Sequence, residues 1–138
     1  MYLKNIQIRS FRNLSNVKID FDSKTHLFTG SNAQGKTSVL EAIYYLSDLS
    51  SFRDVDPSQL IQKGKDQTSL WVDLEEENYV TKLEAHLAID LPTEKISRIA
   101  KINEDIFRSR NHYLKEKLKN AARGFHSIVF MPSSMQII

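Results

Sequence analysis

The chain has 138 residues, 41% of them hydrophobic, with 19 Lys or Arg against 17 Asp or Glu and a net charge of +2. That length is one domain or part of a larger one, and so balanced a charge excludes a protein held to its partners by a broad electrostatic field. There is no cysteine, hence no disulfide framework and no thiolate metal site. No apolar run reaches membrane-spanning length and no signal-peptide core opens the chain, so a soluble cytoplasmic protein with no membrane partner is expected.

In chain order, residues 2–10 read as a strand with Leu3, Ile6 and Ile8 apolar among polar neighbours, and residues 10–13 as a turn-like link. From Leu14 to Phe21 the alternation is regular, with Val17, Ile19 and Phe21 on one face and Lys18 and Asp20 on the other. A second turn leads to Leu27-Phe28-Thr29, a short apolar run suited to a buried parallel strand. Directly after it stands Gly30-Ser31-Asn32-Ala33-Gln34-Gly35-Lys36-Thr37, a full G-x-x-x-x-G-K-[ST] loop, followed by Ser38 and a helical recurrence of Val39, Ile43 and Leu46. The glycines allow turns and close approaches, successive N–H groups form an anion nest, Lys36 reaches the β- and γ-phosphates, and Thr37 is placed to ligate Mg²⁺. A chance match in a chain this long is roughly a one-in-two-hundred event, and the strand and helix flanks lower that further. ATP and Mg²⁺ are the expected cofactors.

Residues 47–66 are polar and irregular, with a short helix expected from Asp56-Pro57-Ser58 through Leu60 and Ile61 to near Gly64. Strands follow: Leu70, Val72 and Leu74 alternating with Trp71 and Asp73; then Val80, Leu83, Ala85, Leu87 and Ile89, with one irregular step at the start; then 95–102 and a short Ile106-Phe107. In such a strand Trp71 is expected to pack rather than to stack on a ligand. Arg108, Arg110, Lys115, Lys117, Lys119 and Arg123 form a basic stretch on a predicted helix whose apolar stripe holds Leu114 and Leu118. It reads either as a solvated face or as a contact for nucleic-acid phosphates. Phe125 to Phe130 is a last apolar strand, and Pro132-Ser133-Ser134 resembles the start of another helix.

Several of these segments together carry a resemblance. Tyr2-Leu-Lys-Asn-Ile-Gln-Ile-Arg-Ser-Phe-Arg-Asn-Leu, the phosphate loop with Asn32, and Leu40-Glu41-Ala42-Ile43 resemble the start of the RecF family, ABC-type ATPases in the class that also holds SMC proteins. Ser51-Phe52-Arg53, Lys101-Ile102-Asn103 and Val129-Phe130-Met131-Pro132 extend the likeness along most of the chain. Ala33 departs from the family's usual glycine, and Asn103-Glu104 from its usual Asn-Gly turn. The resemblance implies an α/β fold, a P-loop NTPase of ABC-ATPase type. Its mixed sheet would surround the phosphate-loop helix, with an antiparallel β-subdomain added. It further implies that Arg12 and Asn13 lie beside the base and ribose. ATP would drive homodimerisation on gapped or junction DNA, with RecR and RecO as partners in loading the recombinase.

Hydrolysis in this class also needs an apolar strand ending in acidic residues and a serine-glycine signature. Neither is found: Val129-Phe130-Met131 runs into Pro-Ser, and Asp73-Leu74-Glu75 has the wrong spacing and surroundings. Residues 1–138 are therefore expected to be an N-terminal ATP-binding domain, truncated at its C-terminal end, with no catalytic residue of its own and slow or no turnover. An SMC-like or OLD-type ATPase fragment is the alternative within the class. A non-catalytic DNA- or protein-binding module with a vestigial loop is the alternative outside it.

Overall fold

Period-two alternation in the first twenty residues makes a hairpin. In the computed structural model, which describes residues 2–21, 33–53, 55–75, 79–119, 130–131 and 136–137, β1 (Tyr2–Phe11) and β2 (Leu14–Asp20) pair antiparallel. Ile6 lies opposite Ile19 and Ile8 opposite Val17, so the apolar residues share one face. Arg12 and Asn13 alone make the hairpin loop. Ser10 and Arg12 both take the left-handed conformation, at φ 54°, which costs a non-glycine residue about 1–2 kcal/mol.

β3 (Gln67–Glu75), β4 (Val80–Asp90), β5 (Lys95–Ile102) and β6 (Asp105–Phe107) complete a six-stranded sheet in the order β2-β1-β3-β4-β5-β6. Every adjacent pair is antiparallel. The parallel strand expected at 27–29 lies outside the described residues. The irregular step expected at the start of β4 resolves without a bulge. Thr81 takes the inward place opposite Leu74, and Val80 faces solvent opposite Glu75.

One sheet face carries Ile6, Ile8, Leu70, Val72, Leu74, Leu83, Ala85, Leu87, Ala100 and Ile102, and packs under α1 (Ala33–Asp48). On the other face Trp71 is half-buried, with the Arg9 guanidinium 5.3 Å from its ring centre and the His86 ring edge-on at 5.6 Å. The inward stripe of α1 is Val39, Ala42, Tyr45 and Leu46, continued by Leu49 just past its end; Ile43 is half-buried and Leu40 exposed. This phase differs from the apolar reading because polar Ser38 and Glu41 are also buried on the helix.

Between α1 and β3 the expected short helix is a single 3₁₀ turn, Pro57–Leu60, whose Asp56 cap accepts hydrogen bonds from Ser58 N–H at 3.0 Å and Ser58 Oγ at 2.9 Å. Those bonds hold the Asp56 carboxyl below its usual range. The turn is stitched to the end of β1: Ile61 bridges Phe11, Arg12 N–H donates to Leu60 O (2.9 Å), and Gln62 N–H to Ser10 O (2.9 Å). Further on, α2 (Arg110–Lys119) packs on β5 and β6. β7 (Phe130–Met131) pairs with β8 (Gln136–Ile137), and the helix start expected at Pro132-Ser133-Ser134 lies outside the described residues.

Candidate nucleotide-binding site

The helix opens inside the phosphate-loop motif. Ala33 is the first residue of α1, which puts Gly35, Lys36, Thr37 and Ser38 in its first two turns, the end where the leading N–H groups lack helical acceptors and the dipole favours anions. Gly30, Ser31 and Asn32 lie outside the described residues; Ala33 and Gln34 are helical in backbone. A Cβ at Gly35 would meet nothing within 4 Å. No packing within the described residues requires a glycine at this position of the first turn.

Ser38 is buried, and its Oγ donates to Asn13 Oδ1 at 2.7 Å, tying the helix to the hairpin loop. Arg12 reaches the same helix one turn later. Its Nε and Nη2 bind Glu41 Oε1 and Oε2 at 2.8 and 3.0 Å. Glu41 is fully buried and also accepts from Ser51 Oγ, while Arg53 Nε stands 3.7 Å from Oε1. Beside this group opens a cleft of about 840 Å³, bordered by Arg12, Asn13, Ser38, Arg53, Gln62 and Lys63. Among the described residues that line it, three are cationic and none is a carboxylate, a lining that suits a polar anion.

The structure brings Arg12, Asn13 and Ser38 together on one cleft wall, with Arg53 and Lys63 beside them. Sequence reasoning missed the part played by Glu41. Its one signal is that an acid at Ser38+3 shares the helix face of Ser38, and the partner that makes the position readable, Arg12, stands 29 residues away.

The basic stretch is not one face. Arg108 and Lys115 are exposed, Arg123 lies outside the described residues, and Lys119 ends the helix. Arg110 is spent on α1: its Nε donates to Asp48 O at 2.8 Å and its Nη2 to Asp48 Oδ1 at 3.0 Å. Lys117 corrects the expectation of an exposed charged surround, being buried beside Tyr113 and Leu114 on the packed side of α2. Tyr113 is also fully buried; burial raises its phenol pKa, so the OH stays protonated and donates to Leu46 O at 2.6 Å.

Desolvation lowers the Lys117 pKa, with the Asp48 carboxylate pulling the other way. The folded chain therefore binds this proton less tightly than the unfolded one. The resulting penalty is complete below the folded pKa and fades as pH rises through the ordinary lysine range. Lys117→Met should therefore gain stability relative to the parent at neutral pH compared with pH 10, in urea titrations at the two pH values. A difference independent of pH would contradict the burial.

The AAA ATPase domain family matches residues 1–131. Along all 138 residues the chain is 34% identical to a DNA replication and repair protein RecF from Clostridium acetobutylicum, covering 34% of it, and 29% identical to the RecF of Bacillus subtilis, again covering 34%. It spans about a third of the length of these relatives. A solved structure of the recombination mediator protein RecF-ATP in the RecFOR pathway superposes on it with a TM-score of 0.71 at 31% identity, over 82% of this chain and 30% of that one. The fold, the helix that opens inside the phosphate loop and these likenesses agree: the chain belongs to the AAA ATPase domain family, as a P-loop NTPase of ABC type similar to the N-terminal part of RecF.

Proposed function

We propose that this chain binds ATP with Mg²⁺ as the nucleotide-binding part of a RecF-like DNA replication and repair protein. The observation that carries the reading is the position of Gly35-Lys36-Thr37-Ser38 in the first turns of α1, with Ser38 on the wall of a cleft whose described lining includes Arg12, Arg53 and Lys63. Lys36 would hold the β- and γ-phosphates, with Gly30, Ser31, Asn32, Ala33, Gln34 and Gly35 supplying backbone donors. Thr37 offers a hydroxyl of the kind that ligates Mg²⁺, and bound Mg²⁺ would supply charge neutralisation between the phosphates. Arg12 and Asn13 would border the base and ribose. Contact with gapped or junction DNA, homodimerisation on ATP, partnership with RecR and RecO, and a cytoplasmic location belong to the same proposal. For the DNA contact, Arg108 and Lys115 offer exposed charge.

The test is an equilibrium titration of the chain with a fluorescent ATP analogue and Mg²⁺. Lys36→Ala should weaken binding ten- to hundredfold, the range for losing a hydrogen bond to a charged group. Equal affinity in a folded Lys36→Ala chain would remove the site.

A further inference from the structure

We propose that Glu41 is a positioning residue: one buried carboxylate that sets the direction in which Arg12 and Arg53 meet the cleft. The inference rests on the nucleotide-site reading of that cleft.

Three segments converge on this carboxylate. The hairpin loop brings Arg12, the helix of the phosphate loop brings Glu41 itself, and the turn after that helix brings Ser51 and Arg53. Glu41 has no exposed surface, and among the described residues its partners are cations or donors: Arg12 through two nitrogens, Ser51 through its hydroxyl, and Arg53 as an ion pair. Ser51 Oγ in turn accepts from Arg53 N–H at 3.0 Å, so the turn itself is fastened to the carboxylate.

The two arginines are held unequally. Arg12 is bidentate, which fixes the plane of its guanidinium and leaves the Nη1 edge as the part not bound to Glu41. Arg53, at 3.7 Å, is held by charge without a hydrogen bond. Both line the cleft, with side chains 20% and 26% exposed. Among the described residues, two guanidinium charges stand against one carboxylate at this part of the cleft wall. Arg12 is thereby oriented rigidly, and Arg53, whose guanidinium also stands 5.9 Å from the Phe52 ring centre, is directed more loosely by the same carboxylate.

Charge alone and positioning predict opposite results. Removing the Glu41 charge makes the cleft wall more positive, which by Coulomb attraction should tighten binding of a triphosphate. If Glu41 acts by orienting Arg12, its loss should loosen binding, and only while Arg12 is present.

The experiment is a double-mutant cycle on the 138-residue chain, titrated with the fluorescent ATP analogue and Mg²⁺. Glu41→Gln keeps the shape and removes the charge, and is expected to weaken binding about tenfold, within the range of direct couplings. Arg12→Ala should weaken it comparably, and the double variant should bind no worse than Arg12→Ala. Unchanged or tighter binding by Glu41→Gln, or full additivity in the double variant, would overturn the inference. Lys36→Ala in parallel separates the two failures. If it binds like the parent, the nucleotide-site reading fails; if it loses binding while Glu41→Gln does not, only the positioning role fails. Should circular dichroism show Glu41→Gln unfolded, Ser51→Ala replaces it. It keeps the charge and should weaken binding about tenfold, the low end for losing a hydrogen bond to a charged group, with no further loss in an Arg53→Ala background. Unchanged affinity in Ser51→Ala would then overturn the inference.

Discussion

Phe11→Ala is expected to lower the unfolding free energy by about 3–5 kcal/mol, the range for deleting a fully buried aromatic. Phe11 has no exposed surface and sits at the joint of three elements. It ends β1, pairs with Leu14 across the hairpin loop, and bridges Ile61 beyond the 3₁₀ turn. Its removal leaves a cavity under the residue next to Arg12, where the backbone is already left-handed. With domain stabilities near 5–15 kcal/mol, the variant should lie close to its unfolding limit. Denaturant titration beside Phe11→Leu checks this. The leucine variant should retain most of the stability, because it keeps much of the volume. Equal losses in both would point to the shape of the ring rather than to the cavity.

The second large effect is expected at Glu41. Glu41→Ala should cost about 3 kcal/mol, the low end for breaking a buried ion pair by removing one partner. The low end applies because Arg12 and Arg53 keep 20% and 26% exposure and can rehydrate in part. Replacing both partners, as Arg12→Met with Glu41→Leu, should recover most of that stability, since apolar pairs of similar size substitute well for buried ion pairs. Thermal denaturation of the three variants provides the comparison. A double variant as unstable as Glu41→Ala would mean that Ser51 and Arg53, not Arg12, account for the cost. The same double variant should bind nucleotide poorly, so stability and binding would part company at this site.

The strands were legible because their signal is local. Alternation from Leu70 to Leu74 reports one buried face whatever the neighbours are, and β3 follows it residue for residue. Where a polar side chain takes an inward place, the same reasoning slips. Thr81 made β4 look irregular, and Glu41 shifted the apparent phase of α1. The loop motif named its own phosphate chemistry, since its parts are contiguous. The cleft wall could not be read that way: Arg12, Ser38, Arg53 and Lys63 meet only after the hairpin and the 3₁₀ turn fold back on α1. Lys117 was misread for a related reason. Helical spacing alone cannot say which face of α2 will turn toward α1, and the polar tips of Arg110 and Tyr113 decide that by seeking the last carbonyls of the helix.

Those carbonyls also order events in time. Leu46, Asp48 and Leu49 receive their donors from Tyr113, Arg110 and Arg98, which follow them in the chain by 67, 62 and 49 residues. A 16-residue helix is marginal by itself. At ordinary rates of synthesis, the wait between α1 and Tyr113 is on the order of 3 to 13 seconds. Through that interval the newly made segment bearing Lys36 has an uncapped end and an apolar stripe in search of cover. A ribosome-bound chain halted before residue 98 should therefore expose the helix to protease, and one halted well past 113 should protect it.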